Sequence, residues 1–219
     1  LGLTERSSGD VAQRAHGTVS LGWADLGALS VGDAEYDGLE VGVMDLTDVE
    51  AGQMVTYGIL GFDVLSRYDV SLDFPARTVG FHPRAEDLGS CAVCAGEISS
   101  PFELVEGTHI QFEVTISEQP IRALLDTGSG RSGMNALAAA AIGVELPETM
   151  PGGHAPGLSV GAIHMGEGTL ARNVPVGVID LPAFQALGMS DGPAILLGTG
   201  VLAGRRVGIS YGLNRISID

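Results

Sequence analysis

Apolar and polar residues alternate most clearly at residues 109–116, which is the pattern of a half-buried β-strand. The apolar positions of this segment are Ile110, Phe112, Val114 and Ile116. Glu118-Gln119-Pro120 predicts a turn, after which the apolar run 121–125 predicts a second strand that leads into Asp126. The alanine-rich run 134–144 predicts a short helix.

Two long stretches of the chain share one pattern, residues 57–83 and 193–219. Each stretch predicts an apolar strand, a glycine, a short helix and then a hairpin. The hairpin is expected to turn at Pro75 in the first stretch and near 212–214 in the second.

A second matched pair lies ahead of these stretches, "VGVMDL" at 41–46 and "VGVIDL" at 176–181. The offset is 135 positions for this pair (176 − 41) and 137 for Gly61 and Gly198 (198 − 61). Matches in the same order and at nearly the same offset indicate a duplicated unit.

The predicted domains follow from this duplication. An N-terminal lobe covers residues 1–90, a polar linker 91–102, and a C-terminal lobe 103–219. If the opening "LGL" matches "IGV" at 142–144, the counterpart of Asp126 falls about 16 positions (142 − 126) before the first residue. The first lobe is therefore expected to lack its N-terminal part within this sequence.

Composition favours a β-rich fold with an acidic surface. The 219 residues include 33 glycines, with 45% hydrophobic and 17% charged residues, which favours many turns and short strands. The formal net charge of −16 repels nucleic acid and anionic membranes, so neither is predicted as a partner. No segment approaches the ~18 unbroken apolar residues of a membrane span.

The candidate catalytic turn is Asp126-Thr127-Gly128-Ser129. Hydrolysis of an amide needs a base that takes a proton from water and an acid that supplies one, and two adjacent carboxyls that share one proton do both. Asp126 fits one half of such a pair, and Gly128 leaves room beside it. The hydroxyls of Thr127 and Ser129 can hold the loop and donate to a carboxylate. The second carboxyl must come from a matching loop.

This turn resembles the signature of the retropepsin-like aspartic proteases, in their bacterial two-lobed form. The signature places two apolar residues before Asp-Thr-Gly-Ser/Ala, matched by Leu124 to Ser129. A second element, apolar-apolar-Gly, is matched by Leu196-Leu197-Gly198. The first lobe contains only this second element, as Ile59-Leu60-Gly61.

The resemblance implies a mainly β chain of two repeated, antiparallel, barrel-like lobes with short helices. It also implies that the two aspartates meet at the interface between the lobes and that Thr127 makes a structural contact across this interface. It implies an aspartic endopeptidase that needs no cofactor and hydrolyses an extended peptide or unfolded protein beneath flexible hairpins. The candidate flap segments are 4–17 and 149–157.

The partner aspartate has three possible sources in this interpretation. An N-terminal fragment of the same precursor can be cleaved and stay docked, an upstream segment can lie outside this sequence, or a second copy of the chain can bring its own Asp126. The alternative function is an inactive protease-like module that binds peptides or a partner.

A dinucleotide-binding protein is a remote alternative. Residues 128–133, "GSGRSG", have the spacing G-x-G-x-x-G, and Glu148 follows 20 residues after the first glycine (148 − 128). Against this alternative, no run of βαβ units follows, and the internal repeat is left unexplained.

The remaining candidates have simpler interpretations. Asp63, just before a short helix, is predicted as an N-cap and not as the partner carboxylate, and Trp23 as a packing residue. The five histidines show no ligand spacing, so no metal is predicted. Cys91 and Cys94 are either a disulfide or two thiols. A disulfide, the acidic surface and the lack of lysine together suit a periplasmic or secreted protein.

Overall fold

The computed structural model describes residues 4–14, 17–46, 56–146 and 155–219. The chain forms two compact units, Leu1–Leu60 and Gly61–Asp219. Strands dominate both units and the helices are short, so the prediction of a mainly β chain is confirmed. Within the described ranges, no helix has the length and apolar character needed to cross a membrane.

The first unit contains a three-stranded antiparallel sheet of consecutive strands, β1 (Arg6–Arg14), β2 (Gly17–Val31) and β3 (Ala34–Val43). Strands β2 and β3 are joined by the two-residue turn Gly32-Asp33, where Gly32 has a φ of +59°. Glycine adopts this backbone conformation without the steric cost of a Cβ atom.

Twelve strands and three short helices are described in the second unit. Along the chain they are α1 (Phe62–Leu65), β4 (Asp69–Asp73), β5 (Thr78–His82), β6 (Ile98–Pro101), β7 (Glu103–Val105), β8 (His109–Ile116), β9 (Gln119–Asp126), β10 (Ser132–Met134), α2 (Ala136–Ala141), β11 (Ala155–Met165), β12 (Gly168–Val178), α3 (Pro182–Ala186), β13 (Ala194–Gly198), β14 (Arg206–Ser210) and β15 (Arg215–Ile218). A single 3-10 turn, Thr199–Val201, follows β13.

Six of these strands close into a barrel. Their order is β11-β12-β10-β13-β9-β8, and the pairing of β11 with the last residues of β8 completes the ring, while β7 pairs with the first residues of β8. The pairs β9–β13 and β10–β12 are parallel and the others are antiparallel. Closure pairs both edges of each barrel strand, so the backbone hydrogen-bonding groups are satisfied around the ring.

The predicted elements around Asp126 are confirmed with small shifts. Strand β8 is buried at the four predicted apolar positions. Ile116 pairs directly with Gln119, so the turn between β8 and β9 consists of Ser117 and Glu118, which both have positive φ. Strand β9 therefore begins earlier than predicted. Helix α2 begins after Asn135, whose side chain accepts a hydrogen bond from the Ala138 N–H at 2.8 Å.

A second sheet in this unit has five strands in the order β5-β4-β14-β15-β6. Strands β4 and β14 are antiparallel neighbours, with Ser71 opposite Gly208. The hairpin β4–β5 pairs Val70 with Phe81, and β14–β15 pairs Val207 with Ile218. Both pairings differ by the same shift of 137 positions (207 − 70 and 218 − 81), so the two hairpins have one register.

The segment between the hairpin β4–β5 and the barrel lies against this sheet. Cys91 and Cys94 are joined by a disulfide. The Cys94 carbonyl accepts a hydrogen bond from Ser217 Oγ at 3.2 Å, and a Cβ atom on Gly208 would collide with the Val93 carbonyl. Part of the predicted linker 91–102 forms strand β6, since residues 98–101 pair with β15. The lobe ranges 1–90 and 103–219 stay a prediction.

The apolar strand predicted at the start of 57–83 is wrong. No described strand pairs with residues 57–60, and Tyr57 and Ile59 are 87% and 65% exposed. A strand persists only when its N–H and C=O groups find a neighbour. The matching strand β13 is buried along its whole length between β9 and β10.

Asp69 is a fully buried carboxylate that links the two hairpins. Its Oδ2 accepts from the Ala85 N–H at 3.0 Å and from Ser210 Oγ at 2.8 Å, and its Oδ1 accepts from the Gly212 N–H at 3.0 Å. Three donors compensate the loss of water around the charge. At the other end of the β4–β14 pair, the half-buried Asp73 forms an ion pair with the exposed Arg206 at 3.0 Å.

We expect Asp69→Asn to lower the free energy of unfolding by about 2–3 kcal/mol, because the amide NH₂ would face N–H or O–H donors. The matched control is Asp73→Asn, which weakens a surface ion pair and should cost less than about 1 kcal/mol. Urea unfolding followed by circular dichroism measures both. Equal losses in the two variants would contradict the structural role of Asp69.

Candidate active site

Asp126 is the last residue of a barrel strand. The residues that anchor β9 in the barrel are buried, namely Ile121, Ala123 and Leu124. The neighbouring strand β13 is parallel to β9, with Leu197 beside Leu125 and Gly198 beside Asp126. Because both strands end at the same rim, the half-buried carboxyl of Asp126 lies where the buried part of the barrel gives way to a loop.

The loop after Asp126 folds back on its carboxyl. Asp126 Oδ1 accepts a hydrogen bond from the Gly128 N–H at 2.9 Å, and the Ser129 N–H reaches the Asp126 carbonyl at 3.3 Å. A Cβ atom on Gly128 would lie 3.2 Å from Asp126 Oδ1. Glycine therefore keeps the space beside the carboxyl open, as expected from the sequence.

The hydroxyl groups of the loop act differently from one another. Ser129 Oγ donates to the Arg131 carbonyl at 2.8 Å, so it stabilises the loop and does not donate to the Asp126 carboxyl. Thr127 is exposed at the surface of the described chain. The expected grip of Thr127 on a second lobe stays a prediction.

Two residues that hold the loop were not predicted, Thr199 and Ser132. The Ser129 carbonyl accepts from the Thr199 N–H at 2.7 Å and from Thr199 Oγ1 at 3.1 Å. The buried Ser132 Oγ accepts from the Gly198 N–H at 3.2 Å. The sequence signal for Thr199 is its place directly after the apolar-apolar-Gly element, but its partner is a backbone atom that no pattern of side chains reveals.

Gly198 permits the close approach of this loop to β13. A Cβ atom at position 198 would collide with the Arg131 carbonyl and lie 2.7 Å from the Ser129 carbonyl. The neighbouring Gly200 is similarly close to the Gly130 carbonyl, at 2.9 Å. The two halves of the sequence signature therefore meet in space, since the Asp-Thr-Gly-Ser turn packs directly on the apolar-apolar-Gly element.

The hydrogen bond described for the Asp126 carboxyl lies within its own loop. Asp63, the other carboxyl considered, is exposed in the first turn of α1. Its predicted role as N-cap is wrong, because the N-cap is Gly61 and no side chain caps this helix. The helix begins two residues earlier than the side-chain pattern implied, which leaves Asp63 favourably placed near the helix N-terminus.

The glycine spacing of residues 128–133 occurs in a different setting from a dinucleotide site. The segment runs from β9 directly into β10, and α2 begins only at Ala136. In a dinucleotide fold the same glycines open the helix whose N-terminus holds the pyrophosphate. Among the described residues, no group of three or more His, Cys, Asp or Glu side chains is arranged to hold a metal ion.

Trp23 lies in β2, whereas the two flap candidates are only partly within the described residues. Trp23 Nε1 donates to Asp10 Oδ2 at 3.0 Å, which joins β2 to β1. The first flap candidate, 4–17, contributes β1 and the start of β2, while its residues 15 and 16 lie outside the described ranges. Most of the second candidate, 149–157, also lies outside them.

A cleft of about 370 Å³ in the second unit is lined by Asn135, Ala136, Leu137, Asp180, Gln185 and Ser190. The Asn135 N–H donates to the Ala194 carbonyl, at the first residue of β13, whereas Asp126 lies beside its last residue. This cleft is therefore at the opposite end of the strand from the Asp126 loop.

Comparison with solved structures finds a distant likeness to a known protein fold. No protein-family model matches the sequence, and no curated protein matches it. Among solved structures, the chain is similar to a retropepsin-like aspartic protease from Rickettsia conorii, with 16% identity and a TM-score of 0.35 over 48% of this chain and 75% of that chain.

We expect Gly198→Ala to lower the free energy of unfolding by about 1–3 kcal/mol, because the new methyl group must displace the Arg131 and Ser129 carbonyls. The matched control is Gly130→Ala in the same loop, where a Cβ atom has no neighbour within 4 Å. That change should stay within about 0.5 kcal/mol. Thermal and urea unfolding measure both variants, and similar losses would contradict the close approach.

Proposed function

We propose that the protein is an aspartic endopeptidase in which Asp126 supplies one of two catalytic carboxyls. The observation that carries the proposal is a half-buried carboxyl at the rim of a closed barrel, in a turn held on one side by the Gly128 N–H and on the other by Gly198 and Thr199. The resemblance of this turn to the retropepsin-like signature supports a catalytic role for the Asp126 carboxyl.

The chemistry requires a fixed carboxyl. One carboxylate accepts a proton from the attacking water, while its protonated neighbour supplies a proton to the carbonyl oxygen. Preorganisation matters because a misplaced base loses much of the advantage of proximity. Asp126 meets this requirement because its loop is fixed by hydrogen bonds from Thr199, directly after β13, to the Ser129 carbonyl and from the Gly198 N–H of β13 to Ser132 Oγ. Thr127, Gly128 and Ser129 are its supporting residues in this proposal.

The second carboxyl is proposed to come from a twin of the Asp126 loop. The common register of the hairpins β4–β5 and β14–β15 supports an internal duplication at an offset of 137. At that offset, residues 57–61 correspond to β13, the strand that lies beside β9 and its aspartate. Tyr57 and Ile59 are exposed, as expected of a segment whose own β9-like neighbour is supplied from elsewhere.

The source of this neighbour is part of the proposal. An N-terminal segment of the same precursor, either cleaved and docked or continuous with the chain, fits the duplication. A second copy of the chain fits less well, because its β9 is already held between β8 and β13. We also propose a periplasmic or secreted location, which the disulfide Cys91–Cys94 favours, since disulfides persist in oxidising compartments.

We expect the protein together with the proposed N-terminal segment, expressed as one precursor, to cleave an unfolded polypeptide at some pH between 3 and 7. Asp126→Asn in that precursor should lower the rate by at least about a thousandfold. Asp73→Asn, a carboxyl of the five-stranded sheet that pairs with Arg206, is the matched control and should retain the parental rate within about twofold. Mass spectrometry of the peptides over time measures all three proteins. Unfolding curves establish that the variants are folded.

Two outcomes would count against this assignment. Cleavage that survives in Asp126→Asn would show that another group or a contaminant performs the reaction. If none of the three proteins cleaves any substrate while the parent binds unfolded polypeptide, the inactive binding module would replace the protease.

A further inference from the structure

The cleft at the far end of β13 from Asp126 is walled by four segments of the second unit. They are the start of α2, the residue two positions after β12, helix α3, and the loop from α3 to β13. Its volume of about 370 Å³ lies within the range of ligand pockets, which is about 300–1,000 Å³. The cleft is therefore large enough to hold one side chain or a small molecule.

The buried side chain of Asn135 fixes the floor of this cleft. Its Oδ1 accepts hydrogen bonds from the Ala138 N–H at 2.8 Å and from the Ala194 N–H at 3.1 Å. Its Nδ2 donates to the Gly192 carbonyl at 2.8 Å. One side chain therefore joins the start of α2 to the loop from α3 to β13 and to β13 itself.

The same loop is held from a second side by Arg122 of β9. The guanidinium donates to the carbonyls of Gly188 and Met189, at 3.2 and 3.3 Å. It also forms an ion pair with Asp191. Ser190 thus lies between two anchored residues, so this wall of the cleft is in place before any ligand binds.

Three exposed polar side chains line the cleft, those of Asp180, Gln185 and Ser190. Asp180 Oδ1 accepts a hydrogen bond from the Ala136 N–H at 3.2 Å, and within the described ranges no basic side chain pairs with this carboxylate. In the same part of the chain, no hydrogen bond engages the Gln185 amide or the Ser190 hydroxyl. The cleft therefore offers carboxylate, amide and hydroxyl oxygens as acceptors to a ligand.

The charge of the lining favours a cation as that ligand. Asp180 is the one charged residue among the six that line the cleft. Arg122, which holds the adjacent loop, is already paired with Asp191, so its charge is compensated there. The formal net charge of −16 also attracts cations to the protein surface as a whole.

Leu137 gives the cleft an apolar side, since this leucine is 47% exposed. An arginine side chain combines an alkyl stem, which covers apolar surface, with a planar guanidinium that has five N–H donors. A lysine ammonium is a compact and strongly hydrated charge with three donors. Acceptors that come from three separate segments therefore suit a guanidinium better than an ammonium group.

We propose that this cleft binds the guanidinium of an arginine side chain in an unfolded polypeptide, with Asp180 as its counter-ion. Gln185 and Ser190 accept further hydrogen bonds, and the alkyl stem lies against Leu137. The inference rests on the proposed function for the assignment of that polypeptide as a substrate. Because the cleft and Asp126 lie at opposite ends of β13, the arginine would anchor the substrate away from the bond that is cleaved.

The test titrates N-acetyl-arginine amide into the full chain at low ionic strength and follows the backbone amide signals by NMR. We expect the signals of Leu137, Gln185 and Ser190 to move with a millimolar dissociation constant, because one exposed ion pair and a few hydrogen bonds only slightly exceed the cost of association. N-acetyl-citrulline amide, which has a neutral urea in place of the guanidinium, should bind at least about fivefold more weakly. N-acetyl-lysine amide should also bind more weakly than the arginine probe, by about threefold or more.

Three variants locate the binding of the arginine probe. Asp180→Asn removes the charge but keeps a side-chain oxygen for the Ala136 N–H, and it should weaken binding by at least about fivefold. Gln185→Glu adds a second carboxylate to the lining and should strengthen binding by about threefold. Glu103→Gln makes the same charge change as Asp180→Asn at an exposed position of β7 outside the lining, and it should alter the dissociation constant by less than about twofold.

Equal affinities for the arginine and citrulline probes, or unchanged binding in Asp180→Asn, would overturn the proposal. Equal losses in Asp180→Asn and Glu103→Gln would show general attraction to an acidic surface and would overturn it as well. The titration needs no catalytic activity, so it is independent of the Asp126→Asn experiment. Cleavage without arginine binding would remove the cleft site alone, whereas arginine binding without cleavage would remove only the assignment of the occupant as a substrate.

Discussion

The parallel pairing of β9 with β13 is the constraint on which the candidate site depends. It brings Asp126 and Gly198 side by side at the rim of the barrel, although they are 72 positions apart (198 − 126). The lack of a side chain at Gly198 lets two carbonyls of the Asp126 loop lie directly against β13. A carboxyl at the end of a strand is ordinary, but one whose loop is clamped by the adjacent strand has a fixed direction.

A different principle organises the five-stranded sheet. Two hairpins with one register meet edge to edge, and they are joined at one end by a buried carboxylate and at the other by a surface ion pair. Asp69 accepts hydrogen bonds from the Ala85 N–H, just after β5, and from the Gly212 N–H, in the turn between β14 and β15. It therefore holds these two backbone segments together. This arrangement is stable only while the Asp69 carboxylate keeps its hydrogen-bond donors, because a buried charge with a missing partner is costly.

Much of the second unit could be predicted from the sequence, because its strands alternate and its turns contain residues with strong local preferences. Strand β8, the hairpin turns near Pro75 and Asn214, and helix α2 are examples. Residues 57–60 were predicted as a strand from their apolar character alone, yet a strand also needs a neighbour, which local composition does not record. Asp63 is predicted as an N-cap by the same local logic, whereas the N-cap is Gly61. The clamp from Thr199 to the Ser129 carbonyl could not be foreseen, because it joins a side chain to the backbone of a distant loop.

The disulfide between Cys91 and Cys94 has a consequence for how the chain matures. These are the two cysteines of the 219 residues, so only one intramolecular connectivity exists among them. Oxidation of a four-residue loop can precede assembly of the distant strands, since its ends are already close in the unfolded chain. Within these 219 residues, closing the disulfide therefore needs an oxidant and no isomerase.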